Sequence, residues 1–123
     1  MPNILIVEDD KELSMLFQKV LEKSGYQVKS ASDGAQALEV LDREYIDLII
    51  SDIMMPVMDG LETAEKIRKS GREDAGTVII IAMSANAFYD DIERSIKAGM
   101  NTHIAKPIDA DELVNIIARQ AGR

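Results

Sequence analysis

Residues 4–10 of the chain read ILIVEDD, four apolar side chains followed directly by three carboxylates. A short apolar run without polar alternation is typical of a strand that is buried on both faces, as in a parallel sheet covered by helices. In such sheets the functional groups gather beyond the carboxyl ends of the strands. The stretch therefore predicts a buried strand of an α/β protein, followed by an acidic group at the edge of the sheet.

Four further strand patterns follow along the chain, and helical patterns separate them. They cover residues 27–29, 48–50, 78–81 and 102–104. Gly25 is expected to end the first helix, and Asp109 with Glu112 has the spacing of a capping box before the last. Apolar residues spaced three and four apart predict the buried helix faces, which are Leu13, Leu16, Phe17, Val20 and Leu21; Ala37, Leu38 and Leu41; Leu61, Ala64 and Ile67; Ile92 and Ile96; and Leu113, Ile116 and Ile117.

Five strand-helix units predict a doubly wound α/β fold, a five-stranded parallel sheet with five helices. The flavodoxin-like strand order 2-1-3-4-5 is the common solution for this number of strands. With 123 residues, of which 46% are hydrophobic, the chain is expected to form a single domain over residues 1–123.

The charge balance restricts the partners. Fourteen basic and 22 acidic residues give a net charge of -8, which argues against direct contact with nucleic acid or with anionic membranes. Cysteine is absent, so disulfides and thiolate metal sites are excluded. The apolar runs are too short for a membrane span, and a cytoplasmic location is expected.

Polar side chains follow the strand patterns where each predicted strand ends. Because these ends meet at one edge of a parallel sheet, the side chains are expected to converge. Several carboxylates in one place imply a compensating cation, and oxygen ligands without cysteine favour Mg²⁺. The converging residues are Glu8, Asp9 and Asp10 after the first strand, Asp52 after the third, Ser84 and Ala85 after the fourth, and Lys106 and Pro107 after the fifth.

Each of these residues also has an ordinary structural explanation. Asp10 is best explained as the cap of the first helix, and Glu8 or Asp9 could merely favour the positive N-terminus of that helix. Asp52 could be a turn residue before Pro56, Ser84 a helix cap, and Lys106 a solvated surface lysine. Even together, these explanations do not account for the convergence of so many polar side chains at one edge of the predicted sheet.

Four motifs in chain order resemble the receiver domains of two-component response regulators, the CheY-like family. They are ILIVEDD at 4–10, DLIISDIMMPVMDG at 47–60, AMSA at 82–85 and Lys106 with Pro107, and the resemblance extends from Ile4 to about Ala121. It implies that Asp52 accepts a phosphoryl group from a histidine of a kinase or a phosphotransfer protein. Glu8 and Asp9 would bind Mg²⁺, Asp9 directly and Glu8 through water.

The same resemblance assigns the remaining site residues. The backbone carbonyl of Met54 would complete the magnesium ligands. Ser84 and Lys106 would contact phosphoryl oxygens, and the peptide before Pro107 would be cis. Ser84 and His103 would form a switch to the face made by the fourth helix, the fifth strand and the fifth helix. Histidine departs from the family's usual aromatic residue, and an ordinary surface histidine remains the alternative.

Partners are expected to dock on the first helix, where Met15 falls opposite the apolar stripe. Together with Ile53 and the Pro107–Ile108 loop it would form a small apolar patch, and a scattered surface methionine that needs no explanation is the alternative. The runs 81–88 and 98–109 are especially similar to receivers within hybrid sensor kinases, although a stand-alone regulator stays open. A weak homodimer after phosphorylation also stays open. No independent enzyme activity is expected beyond self-catalysed phosphoryl transfer and autodephosphorylation.

Two rival functions share parts of this pattern. A haloacid-dehalogenase-type phosphatase also uses an aspartate nucleophile and magnesium, but it has a second aspartate where this chain has Met54. A flavodoxin-like nucleotide-binding module would carry a glycine-rich or hydroxyl-rich phosphate loop where Glu8 to Asp10 stand.

Overall fold

The computed structural model describes residues 3–53, 59–71, 76–84, 89–105 and 109–121. Strands and helices alternate through these residues. The strands are β1 (Asn3–Val7), β2 (Gln27–Ala31), β3 (Leu48–Asp52), β4 (Ile79–Ser84) and β5 (Thr102–Ala105). The helices are α1 (Lys11–Lys23), α2 (Gly34–Arg43), α3 (Gly60–Arg68), α4 (Tyr89–Lys97) and α5 (Ala110–Ala121).

All the strand pairs are parallel, and the strand order is β2-β1-β3-β4-β5. The predicted fold class and strand order are therefore confirmed. After β1 the chain adds β2 on one side of it and then β3 on the other side. The order of the connections therefore reverses between the parallel neighbours β1 and β3, where Val7 pairs with Ser51. Such a reversal opens a crevice beyond the carboxyl ends of the two strands.

Alternate side chains of the central strands pack into two separate cores, one on each face of the sheet. Leu5, Val7 and Ile49 belong to the core shared with α2 and α3. Ile4, Ile6 and Ile50 belong to the core shared with α1 and α5, and contain no water-accessible surface. Burial on both faces explains why the first strand reads as a continuous apolar run.

Two predicted helix faces are wrong in part. Leu16 in α1 is 54% exposed and Ile96 in α4 is 60% exposed, whereas Ser14 and Ser95 on the same helices are buried. Apolar spacing shows that a helix has a face to bury, but the rotation of the helix depends on what it packs against. The buried face of α1 is formed around Phe17 and Leu21, which pack with α5 residues.

Aspartates begin four of the helices. Asp10 caps α1 by accepting hydrogen bonds from the backbone N–H groups of Glu12 and Leu13 at 3.0 and 3.2 Å, as predicted. Asp109 accepts one from the backbone N–H of Glu112 at 2.7 Å, which is the first half of the predicted capping box. Asp33 and Asp59 cap α2 and α3 in the same way. These caps fix where each loop at the sheet edge ends.

Candidate functional site

Three carboxylates meet where β1 and β3 end. Glu8 and Asp9 follow β1, and Asp52 is the last residue of β3. One carboxylate oxygen from each residue lies within 4.8 Å of the others. Since β1 and β3 are neighbours in the sheet, their parallel ends bring together side chains that are more than forty positions apart in the chain. The structure thus assembles the acidic part of the expected site.

The three carboxylates differ in their access to water. Glu8 is 2% exposed and Asp52 is 5% exposed, while Asp9 is exposed. Two buried carboxylates close together are costly unless a cation or hydrogen bonds compensate their charges. The Glu8 Oε2 atom accepts a hydrogen bond from the backbone N–H of Asp10 at 3.2 Å, which holds its side chain toward the loop. The exposed Asp9 leaves the site open to an ion from solution.

Asp52 is held in place by the backbone around it. Ile53 donates a backbone hydrogen bond to the Met83 carbonyl at 2.9 Å, so the pairing of β3 with β4 continues past Asp52. The Ser51 hydroxyl donates to the Asp52 carbonyl at 3.0 Å. The carboxylate therefore stands on a fixed strand end, as a group that reacts in one geometry requires.

Gly60 also belongs to this site, and the sequence alone assigns it no role. Its N–H donates to the Ile53 carbonyl at 2.9 Å. A Cβ atom at this position would overlap the Asp52 carbonyl oxygen and lie 2.9 Å from the Ile53 Cα atom. Only glycine lets α3 begin directly against the end of β3. The signal in the sequence was the Asp59-Gly60 pair, although nothing there indicated which backbone approaches it.

Ser84 and His103 form a direct contact. Ser84 is the buried last residue of β4, and its Oγ atom lies 3.1 Å from the Nε2 atom of His103 on β5. The His103 side chain is half-buried and its Nδ1 atom is buried. His103 is therefore only partly exposed to water. The two predicted switch residues are hydrogen-bonded to each other, a contact that no sequence pattern indicates.

Several predicted residues lie outside the described part of the chain. These are the Met54 carbonyl, Lys106, Pro107 and its cis peptide, and also Pro56, Ala85 and Ile108. Their assigned roles remain predictions.

Two residues of the expected docking patch, Met15 and Ile53, lie in the described part of the chain. Met15 is exposed on α1, as predicted, and the exposed Leu16 lies beside it. Ile53 is buried in the core shared with α2 and α3, so its predicted place in the patch is wrong. The residue directly after β3 continues the strand's alternation and faces the same core as Ile49.

The strand order and the acidic crevice beside β3 define a doubly wound α/β protein of the flavodoxin-like class. Residues 4–118 match the response regulator receiver domain family, and the chain belongs to that family. No described helix is both long enough and apolar enough to cross a membrane.

Curated relatives of two kinds are similar to the chain. The sensor histidine kinase RcsC of Salmonella typhi is 36% identical over 120 residues, which are 98% of this chain and 12% of that protein. The sporulation initiation phosphotransferase F of Bacillus subtilis is 34% identical over 116 residues, 94% of this chain and 90% of that protein. The chain thus spans a small part of the kinase and nearly all of the phosphotransferase.

Solved structures of receiver domains superpose closely on the chain. The receiver domain of the sensor histidine kinase PA1611 from Pseudomonas aeruginosa is 37% identical, with a TM-score of 0.88 over 99% of this chain and 98% of that one. Its structure has a magnesium ion coordinated in the active site cleft. The chemotaxis protein CheY4 of Vibrio cholerae has a TM-score of 0.92 at 26% identity, over 97% of this chain and 98% of that one. The chain is a receiver domain of two-component systems, and neither rival function is supported.

Proposed function

We propose that Asp52 accepts a phosphoryl group from a phosphohistidine, with Mg²⁺ held by Glu8, Asp9 and Asp52. The observation that carries this proposal is the meeting of three carboxylate oxygens within 4.8 Å of one another, one of which belongs to the buried Asp52 at the end of β3. The residues that complete the proposal are Lys106, the Met54 carbonyl and Pro107.

The spacing of the carboxylates suits magnesium. Oxygens bound to Mg²⁺ at about 2.0–2.1 Å lie at most about 4.2 Å apart, twice the bond length. Carboxylate oxygens within 4.8 Å of one another are therefore close enough to share one ion, either directly or through a bound water, which is the role proposed for Glu8. When bound, the ion would neutralise negative charge on the site and on the transferring group.

The residues of the chain would carry the transfer itself. A carboxylate oxygen of Asp52 forms the new bond to phosphorus while the bond between phosphorus and the donor's imidazole nitrogen breaks, and the histidine keeps that electron pair. Ser84 donates its hydroxyl to one phosphoryl oxygen, and Lys106 pairs with another. The product is an acyl phosphate, which water later hydrolyses, so the domain needs no external substrate beyond its phosphoryl donor.

The relatives support the proposed donors, because one is a sensor histidine kinase and another a phosphotransferase. We propose that the phosphohistidine partner docks over Met15 and Leu16 of α1, next to the acidic crevice. We also propose that the chain is the receiver of a hybrid kinase, that residues 1–123 form the domain, and that it is located in the cytoplasm. The domain would make no direct contact with nucleic acid or membrane. We further propose that the phosphorylated domain forms a weak homodimer.

The test is to add acetyl phosphate to the purified protein with and without Mg²⁺, and to weigh the intact chain by mass spectrometry. We expect one phosphoryl adduct that requires the metal, survives acid and is lost in base. Asp52→Asn should abolish the adduct, while Asp111→Asn, an exposed aspartate of α5, should leave it unchanged. An adduct that persists in Asp52→Asn would show that the acceptor is a different residue.

A further inference from the structure

The backbone carbonyl of Asp52 points past the end of the neighbouring strand β1. On the other side, the backbone N–H of Ile53 donates to the Met83 carbonyl of β4 at 2.9 Å. Because the C=O and N–H of a trans peptide point in opposite directions, the Asp52 carbonyl turns away from β4, toward β1. The pairing of β1 with β3 ends one residue earlier, at Val7 and Ser51. The Asp52 carbonyl therefore lies just beyond the last pair of that ladder.

Ser51 supplies a hydrogen bond to this carbonyl from within the core. Its Oγ atom donates to the Asp52 carbonyl oxygen at 3.0 Å. Ser51 pairs with Val7 of β1 and Ala82 of β4, and both neighbours belong to the core shared with α2 and α3. With 1% of its surface exposed, Ser51 has almost no access to water. A buried hydroxyl without a partner is costly, so the apolar surroundings favour this hydrogen bond.

The hydrogen bond closes a small ring around the backbone of Asp52. The ring runs from the Oγ, Cβ, Cα and carbonyl carbon of Ser51 to the nitrogen, Cα and carbonyl group of Asp52. It therefore includes φ and ψ of Asp52, the two soft torsions of that residue. Those torsions also set the direction of the Cα–Cβ bond relative to the sheet, because Cβ is attached to the same Cα. A closed ring thus holds the Asp52 side chain at one angle to the crevice.

The start of α3 approaches the same carbonyl. A Cβ atom at Gly60 would overlap the Asp52 carbonyl oxygen, so the helix backbone lies directly against it. The Gly60 N–H donates to the next carbonyl, that of Ile53, at 2.9 Å. The Asp52 carbonyl is therefore bound by the Ser51 hydroxyl and closely approached by α3, which limits its movement.

We propose that Ser51 is a positioning residue whose hydroxyl holds the Asp52 backbone at the angle that phosphoryl transfer requires. This inference rests on the proposed function of Asp52. Side chains alternate along a strand, so Ser51 faces the core shared with α2 and α3 while Asp52 faces the opposite side. Ser51 thus acts through the backbone and touches neither the ion nor the phosphoryl group. Loss of one hydrogen bond of ordinary strength should slow the transfer about 2- to 10-fold.

The test compares Ser51→Thr with Ser51→Val, whose side chains have nearly the same shape and differ in the hydroxyl. Both add bulk to the core, so any loss through packing is shared. Acetyl phosphate with Mg²⁺ should phosphorylate Ser51→Val about 2- to 10-fold more slowly than Ser51→Thr. Urea unfolding checks that both variants are folded. If the added bulk prevents folding, Ser51→Ala is compared with the unmodified protein instead, and the same loss of rate is expected.

Two further measurements separate positioning from stability. Ser95→Ala, at a fully buried serine of α4, should lose stability without losing phosphorylation rate. The affinity for Mg²⁺ is measured by isothermal titration calorimetry without a phosphoryl donor. Because Asp52 supplies one of the three carboxylates of the crevice, Ser51→Val should bind Mg²⁺ more weakly than Ser51→Thr does. A purely structural role of Ser51 would lower the urea midpoint and leave the rate and the affinity equal in the two variants.

The outcomes distinguish this inference from the proposed function. If the unmodified protein forms no phosphoryl adduct on Asp52, the proposed function fails and the role of Ser51 fails with it. If the adduct forms at equal rates in Ser51→Thr and Ser51→Val, only the positioning role of Ser51 is overturned, and the function of Asp52 stands.

Discussion

At Gly60 the absence of a side chain decides how β3 meets α3. The helix starts so close to the strand end that a Cβ atom would overlap the Asp52 carbonyl oxygen. That neighbour is backbone, which cannot rotate aside as a flexible side chain can. This contact therefore couples the backbone of the proposed phosphoacceptor to the start of α3.

Gly60→Ala is expected to lower the free energy of unfolding by about 1–3 kcal/mol, the usual cost of inserting a methyl group where no space exists. It should also slow phosphorylation by acetyl phosphate, since Asp52 would shift with its backbone. Urea unfolding and intact-mass kinetics measure the two effects.

Gly76→Ala provides the matched control. A Cβ atom at Gly76 meets nothing within 4 Å. Its substitution should leave stability nearly unchanged, or raise it slightly through the unfolded chain. Equal destabilisation by the two variants would show that close contact with Asp52 is not the cause.

At the scale of single elements, α1 presents two different faces. Phe17 and Leu21 are buried, while Met15 and Leu16 are both exposed on the outer side. Two adjacent large apolar side chains in water contribute nothing to the core, and exposed apolar surface of this kind is common at docking sites. The helix follows directly from the acidic residues after β1.

Met15→Lys is expected to slow phosphotransfer from a histidine-phosphorylated phosphotransfer domain, because a charge replaces apolar contact area. Its rate with acetyl phosphate and its urea midpoint should not change, since the side chain is exposed. Ile96→Lys, which places the same charge at an equally exposed apolar position on α4, should leave the transfer rate intact. An unchanged transfer rate in Met15→Lys would remove α1 from the proposed docking surface.

At the scale of the whole molecule, Arg68 ties three parts of the fold together at the end of the sheet away from the site. Its guanidinium donates to the Val78 carbonyl at 2.7 Å, to the Gly99 carbonyl at 2.9 Å and to Asn101 Oδ1 at 3.0 Å. The same Asn101 oxygen accepts a hydrogen bond from the backbone N–H of Ile80 at 2.8 Å. Burial lowers the pKa of Arg68, although an arginine still stays charged at neutral pH.

Arg68→Met is expected to reduce the free energy of unfolding by about 2–4 kcal/mol, because it leaves several backbone and side-chain acceptors without their charged donor. Arg68→Lys should recover only part of this, since one ammonium cannot match the planar fork of donors. Arg43→Met, at an exposed arginine that ends α2, is the control and should cost little. Thermal or urea unfolding measures the stability of all three variants. If Arg68→Met lost no more stability than Arg43→Met, the hydrogen bonds of Arg68 would not be what holds these parts of the fold together.

The fold could be predicted because its signals are local. Runs such as Ile4 to Val7 and the spacing of Leu113, Ile116 and Ile117 identify strands and helices within a few residues of themselves. Helix rotation could not be predicted in the same way. Leu16 and Ile96 match a helical stripe as well as their neighbours do, but the packing partners of α1 and α4 lie far away in the chain.

The sequence by itself determined the order of strands and helices, and it placed Glu8, Asp9 and Asp52 at strand ends that a parallel sheet brings to one edge. Only the tertiary structure decided that Ser84 bonds to His103, that Gly60 touches Asp52 and that Arg68 reaches Gly99. These contacts join residues 8 to 31 positions apart. They depend on distances across strands and loops, which hydrophobic periodicity does not encode.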